Sequence, residues 1–150
     1  MRFPSALVPL ALASSILACS AESSPSVAPI AAGPYSGQVA VSDTQRQGGT
    51  FFFAKTDVAG SGAVTGTADT TAPTTVRETG TVRGTVTLAA DSSTAVDVDL
   101  TFTFPTLGTY RARGRGIHSA TTKEIGFSGL RTEDGKGVLL GETTGVLKSQ

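Results

Sequence analysis

The chain has 150 residues, with 12 basic and 12 acidic side chains and a formal charge of zero. This balance excludes non-specific nucleic-acid binding, which needs a clear basic excess, and the length allows one ordinary domain rather than two. A single cysteine excludes an intrachain disulfide, so the fold must rest on its own core.

The N-terminal residues have the pattern of a secretory signal peptide. Arg2 supplies a positive charge, and an apolar run from Ala6 to Ala18 follows it, interrupted by Pro9. The run is shorter than the about 20 apolar residues that a membrane-spanning helix needs. A positive start, a short apolar stretch and small residues near its end therefore predict a signal peptide over residues 1–18.

The segment Ile16-Leu17-Ala18-Cys19 resembles the lipobox of bacterial lipoprotein signal peptides, in which an aliphatic, a variable and a small residue precede cysteine. The resemblance implies a diacylglyceryl thioether on Cys19, cleavage before it and acylation of the new amine. Ser20, rather than Asp, after the cysteine implies sorting to the outer membrane in a Gram-negative cell. The alternative is ordinary cleavage after Ala21, but the lipobox is favoured because Cys19 is the only cysteine in the chain.

The segment from Ser20 to Pro34 is rich in Ser, Ala and Pro and shows no period, which predicts a flexible tether about 20 Å long on average. The chain thus divides into a signal peptide (1–18), a lipidated cysteine with its tether (19–34) and a β-barrel domain (35–150).

From Tyr35 onward apolar and polar residues alternate, which is typical of strands with one buried and one wet face. The clearest case is Ala95–Phe104, where all even-numbered residues are large and apolar, while Asp97 and Asp99 occupy the other face. The same pattern predicts eight strands: Tyr35–Val41, Thr50–Thr56, Gly62–Ala68, Thr81–Leu88, Ala95–Phe104, Thr109–His118, Glu124–Arg131 and Gly137–Leu147.

No stretch has the 3.6-residue apolar period of a helix long enough to connect parallel strands. Consecutive strands should therefore pair antiparallel as a meander. Eight such strands can close into an up-and-down β-barrel, which removes exposed edges. The predicted fold is all-β, and glycines on inward faces, such as Gly66 and Gly84, would permit tight curvature.

Arg111, Arg113 and Arg115 alternate along one predicted strand, so their side chains share a face. They could grip the phosphates of a polyanion such as lipopolysaccharide. Alternatively they form a wet outer face with cross-strand ion pairs. If Phe104 pairs with Tyr110, then Asp99 falls opposite Arg115 and Thr101 opposite Arg113. We favour the second interpretation because polar outer faces are ordinary in antiparallel sheets.

His118 is the only histidine, and without a second histidine or a free cysteine it does not indicate a metal site. No serine has the context of a nucleophile, because Gly126-Phe127-Ser128-Gly129 lacks the spacing of a nucleophile elbow. We expect His118 at the rim of the barrel and Tyr110 on its inward face. No cofactor is indicated.

The segment His118-Ser119-Ala120-Thr121-Thr122 resembles a short segment of the avidin and streptavidin family, which are eight-stranded antiparallel barrels. In that family a tryptophan follows where this chain has Lys123, and other tryptophans wall the biotin site. This chain has no tryptophan, so the resemblance extends to a small calycin-like barrel and does not imply biotin binding.

Two classes of function remain open. The first is a lipid-anchored module of the cell envelope that binds a small hydrophobic ligand in its barrel, or an envelope protein or polyanion at its surface. The second is an envelope enzyme that uses the barrel mouth, with Tyr110, His118 and an arginine as its acid–base set. A pocket with convergent polar groups would favour the enzyme, whereas a barrel filled by its own side chains would exclude both the enzyme and the cavity.

Overall fold

The computed structural model describes residues 29–44, 48–71 and 75–150. The predicted signal peptide, the lipobox with Cys19 and residues 20–28 of the predicted tether lie outside this part. No helix in the described ranges has the length and apolar character needed to cross a membrane. The strands are β1 (Gly33–Asp43), β2 (Gly48–Val58), β3 (Ala63–Thr71), β4 (Thr79–Leu88), β5 (Ala95–Phe104), β6 (Gly108–Ser119), β7 (Glu124–Asp134) and β8 (Leu139–Ser149).

The eight strands form a closed antiparallel barrel in chain order, which confirms the predicted meander. Each strand pairs with its neighbours in sequence, and β1 closes the barrel by pairing with β8, from Tyr35 opposite Ser149 to Asp43 opposite Gly141. Closure removes the two free edges that an open sheet of these strands would have. Most strands extend one to three residues beyond their predicted limits, whereas β5 has the predicted bounds.

The alternation in β5 fixes which face is inside. Its even-numbered side chains, from Val96 to Phe104, are all buried, while Asp97 and Thr103 are exposed. A shift of one residue would place Leu100 in water and bury two aspartates. Strand β5 accordingly lies between β4 and β6, with Leu100 opposite Gly84 and Ala112.

The predicted register between β5 and β6 is wrong by two residues. Phe104 pairs with Gly108, and Phe102 pairs with Tyr110. The connection is only three residues long because Gly108 adopts a positive φ of 86°, which closes a three-residue hairpin. The Glu78 carboxylate stabilises this turn by accepting hydrogen bonds from the backbone N–H groups of Thr106 and Leu107, both at 2.8 Å.

A β-bulge in β7 reverses the inside–outside phase of that strand. Ile125 and Phe127 are buried, and after the bulge Leu130 is the next buried side chain. Gly129 has a φ of 67°, which places an extra residue in the ladder and shifts the pairing with both neighbouring strands. Without this shift Arg131 would point into the core.

Inward-facing glycines let the strands approach closely, as predicted for Gly66 and Gly84. A Cβ atom on Gly84 would lie 1.9 Å from the carbonyl oxygen of Asp99, and one on Gly66 would lie 2.1 Å from that of Lys55. Neither distance is possible for real atoms, so only glycine fits at these two positions.

The first described residues pack on the barrel. Ile30 is partly buried against the core, and the Tyr35 hydroxyl donates a hydrogen bond to the carbonyl of Ala31 at 3.0 Å. Residues 29–34, which were predicted to belong to the tether, thus form part of the domain.

We call the end of the barrel at which β1 begins the N-terminal end. The turns at 59–62, 89–94 and 120–123 lie at this end, and the turns at 105–107 and 135–138 lie at the opposite end.

Candidate functional site

The interior of the barrel is filled by its own side chains. Phe52 lies 4.7 Å from Phe102 and 5.4 Å from Phe104 between ring centroids, and Phe104 contacts Tyr110 edge-on at 6.2 Å. These four aromatic side chains are at most 2% exposed. Tilted and edge-on contacts at these distances are those that aromatic rings prefer in close-packed cores. The barrel centre is therefore a packed core.

A depression of about 430 Å³ lies at the end opposite the N-terminal end. Its lining includes Asp43, Leu107, Tyr110, Asp134 and Lys136. Asp134 is occupied in holding the hairpin, since its Oδ1 accepts the N–H groups of Lys136 and Val138, both at 2.8 Å. These backbone hydrogen bonds lower the pKa of Asp134, and the one from Val138 has the largest effect. Its carboxylate is thus a turn-stabilising group.

Tyr110 and His118 lie near opposite ends of β6. They are eight residues apart on one strand, which corresponds to about 26 Å. Both are buried, with 1% and 3% of their surface exposed, and burial lowers the pKa of His118. The structure does not bring these two side chains together at one mouth, and the predicted acid–base set has no common site.

The three arginines of β6 project outward and each contacts a carboxylate. Arg111 donates two hydrogen bonds to Asp99, at 2.7 Å and 3.0 Å. Arg115 lies 3.2 Å from a carboxylate oxygen of Asp91 and 3.5 Å from one of Asp97. The ion-paired outer wall was the favoured interpretation, but the partners differ from those expected because of the corrected register: Asp99 stands opposite Arg113, and Asp97 opposite Arg115.

Glu133 joins two arginines that face each other across strands. Arg113 stands opposite Arg131, and Glu133 binds the first at 2.6 Å and the second at 2.9 Å. Its side chain is only 11% exposed, and the hydrogen bonds from Arg113 and then Arg131 lower the pKa of its carboxyl. The sequence did not reveal this partner, because Glu133 and Arg131 face outward only as a result of the β7 bulge, which the alternation of residues does not predict. We call Asp97, Asp99, Arg111, Arg113, Arg115, Arg131 and Glu133 the charged face.

Across the barrel from β5, the outer wall of β8, β1 and β2 carries several apolar side chains, with exposed Gln38 and Thr144 among them. Phe51 and Val146 are each 41% exposed, and Ala40 and Phe53 are partly exposed beside them. Near the end of β6, Ile117 is 66% exposed. We call Ala40, Phe51, Phe53 and Val146 the apolar face; Ile117, on β6, lies four strands from β2 around the barrel and is not part of it.

Two shallow grooves meet at Val146, and the first of them lies along the apolar face. One, of about 600 Å³, lies between Val146 and the rings of Phe51 and Phe53. The other, of about 490 Å³, extends from Val146 over Gly126 to Ile117. The available sequence signal was Phe51-Phe52-Phe53, because three consecutive aromatic residues in a strand of period two cannot all point inward.

Within residues 29–44, 48–71 and 75–150, no group of three or more His, Cys, Asp or Glu side chains is placed to hold a metal ion. Comparisons with protein families, curated proteins and solved structures find no match to this chain.

Proposed function

We propose that this protein is a lipid-anchored module of the bacterial cell envelope that makes its contacts through the outer wall of its barrel. The observation that supports surface contact is the combination of a filled interior with an apolar outer face. A core packed around Phe52, Phe102 and Phe104 leaves no room for a small ligand inside. Exposed contiguous apolar side chains commonly mark interaction surfaces on soluble proteins.

The other functions considered above have less support. The polyanion interpretation requires arginines that are available to an added anion, yet each arginine of β6 already contacts a carboxylate. The enzyme interpretation requires Tyr110 and His118 to meet at one mouth, and they lie at opposite ends of a strand. The surface of the barrel remains as the element that can contact another molecule.

Anchoring is proposed to depend on Cys19. Replacing Cys19 with Ala should abolish labelling by radioactive palmitate and release the protein from the membrane fraction, because no acyl chain would remain. Ser20→Ala is the matched control: it leaves the lipobox intact and should keep both the label and the membrane association. A Cys19→Ala protein that still pellets with membranes after a high-salt wash would show that the lipoprotein proposal is wrong.

A further inference from the structure

We propose that the apolar face lies against the lipid bilayer to which the protein is anchored. This inference rests on the proposed function, because it needs the acyl chains on Cys19 to hold the domain at the membrane. It goes further by assigning one surface of the barrel, the apolar face, to one occupant, the lipid surface.

The distance from the anchor to the barrel favours a bilayer contact. Nine residues separate Cys19 from Pro29, the first described residue, and the ten steps from one to the other span at most about 35 Å. Pro29 and Ile30 lie beside the turn at 59–62, at the N-terminal end of the barrel. The barrel therefore cannot move far from a membrane that holds Cys19.

The apolar face begins close to this same end. Val146 lies three residues before the end of β8 at Ser149, about 10 Å along the strand. Phe51 lies seven residues before the end of β2, about 23 Å away. Both positions are within the range over which the anchor holds the domain against the lipid.

The polar rim of the apolar face matches a lipid surface. Lys55 and Lys148 are exposed and stand on either side of Ser36, in the row between the apolar face and the N-terminal end. Lys148 is paired with Glu124 at 2.6 Å, so the basic group that we assign to lipid headgroups is Lys55, whose long aliphatic stem can carry its ammonium group to them. Phe51 and Phe53 supply aromatic rings, which are favoured where a protein meets the acyl boundary. Basic groups beside exposed aromatics attract anionic phospholipid headgroups.

The chain contains no tryptophan, so a single introduced tryptophan reports on one position. The full-length lipidated protein would carry Phe51→Trp or Val146→Trp, both at exposed positions of the apolar face. It would be reconstituted into vesicles of phosphatidylethanolamine with a minority of phosphatidylglycerol, with and without bromine on the acyl chains. Thr85→Trp is the matched control, because Thr85 is exposed on β4, across the barrel from β8.

We expect brominated lipid to quench both apolar-face tryptophans several-fold more strongly than the tryptophan at position 85, with a matching blue shift. Quenching no stronger than at position 85, in protein that is lipidated and floats with the vesicles, would overturn this inference and leave the anchor intact. A blue shift without quenching, together with chemical crosslinking to twice the chain mass, would assign the face to a second copy and also overturn it. Protein with no lipid mass on Cys19 would instead refute the proposed function, and this inference with it.

Discussion

The two sides of this barrel are built from similar strands yet present opposite chemistry to their surroundings. On β5, β6 and β7 many outward side chains are charged and paired, as with Arg111 and Asp99 at 2.7 Å. On β8, β1 and β2 the outward side chains include Phe51 and Val146, with Gln38 and Thr144 as polar neighbours. Charged side chains that pair with one another on the same wall already have hydrogen-bond partners. Exposed apolar side chains remain in unfavourable contact with water until another molecule covers them. This difference is the basis of our proposal that the apolar side makes the contacts.

The contrast between the two walls holds only if the charged face is the outside of a packed core. The substitution with the largest expected effect on stability tests this. Leu100→Asp should unfold the domain, because an unpaired buried charge costs several kcal/mol against a total stability of about 5–15 kcal/mol. Thr101→Asp is the matched control, since residue 101 faces outward opposite Arg111 and should tolerate a carboxylate. Urea unfolding of the fragment 29–150 measures both. Equal tolerance of aspartate at positions 100 and 101 would contradict the barrel.

A second prediction distinguishes the two faces by their response to acid. The hydrogen bond from Arg111 lowers the pKa of Asp99, and those from Arg113 and Arg131 lower the pKa of Glu133. Each carboxylate therefore stabilises the fold above its unfolded pKa of about 4, and that contribution is lost as the pH falls through the lower folded pKa. The urea concentration at the unfolding midpoint should decrease as the pH is lowered from neutral to acid. This decrease should be smaller in the double variant Asp99→Asn/Glu133→Gln.

The control for the acid experiment comes from the apolar face. Phe51→Ser removes no titratable group and should leave the slope of urea midpoint against pH unchanged. If the double variant keeps the full wild-type slope, these two carboxylates do not carry the acid sensitivity, and the pairing on the charged face has less energetic weight than the geometry indicates.

The smallest expected effect is at the edge of the charged face. Arg115→Ala should change the free energy of unfolding by less than about 1 kcal/mol, because Arg115 and both of its partners are more than half exposed and screened by solvent. The same variant should bind lipopolysaccharide no more weakly than the unaltered protein. A marked loss of that binding would identify the charged face as an anion site and reverse the assignment of the two walls.

Alternation of apolar and polar residues was sufficient to predict the barrel, because burial of one face dictates both strand and orientation. In β5 this holds for every even position from Val96 to Phe104. The β5–β6 register failed because it depends on the backbone conformation of Gly108, which composition does not reveal. The bulge at Gly129 is a similar case, and without it the role of Glu133 between Arg113 and Arg131 could not be deduced.

The candidate site was partly predictable. Phe51-Phe52-Phe53 requires that some aromatic surface faces outward, but only the closed barrel places it beside Val146, which comes from a distant part of the sequence. The separation of Tyr110 and His118 follows from the rise per residue of a strand, so the sequence alone was sufficient to predict it. Lipidation at Cys19 stays a prediction, since that residue lies outside the described ranges.

The way the chain enters the barrel determines how the domain would respond to mechanical load. A pull on the N-terminus would first displace Ile30 from the core and then act along β1, which is hydrogen-bonded to β2 on one side and to β8 on the other. Because these bonds run perpendicular to the strand, a force directed along β1 would shear two ladders at once instead of opening them bond by bond. The first strand of the barrel is therefore attached on both sides in a way that resists extraction along its own axis.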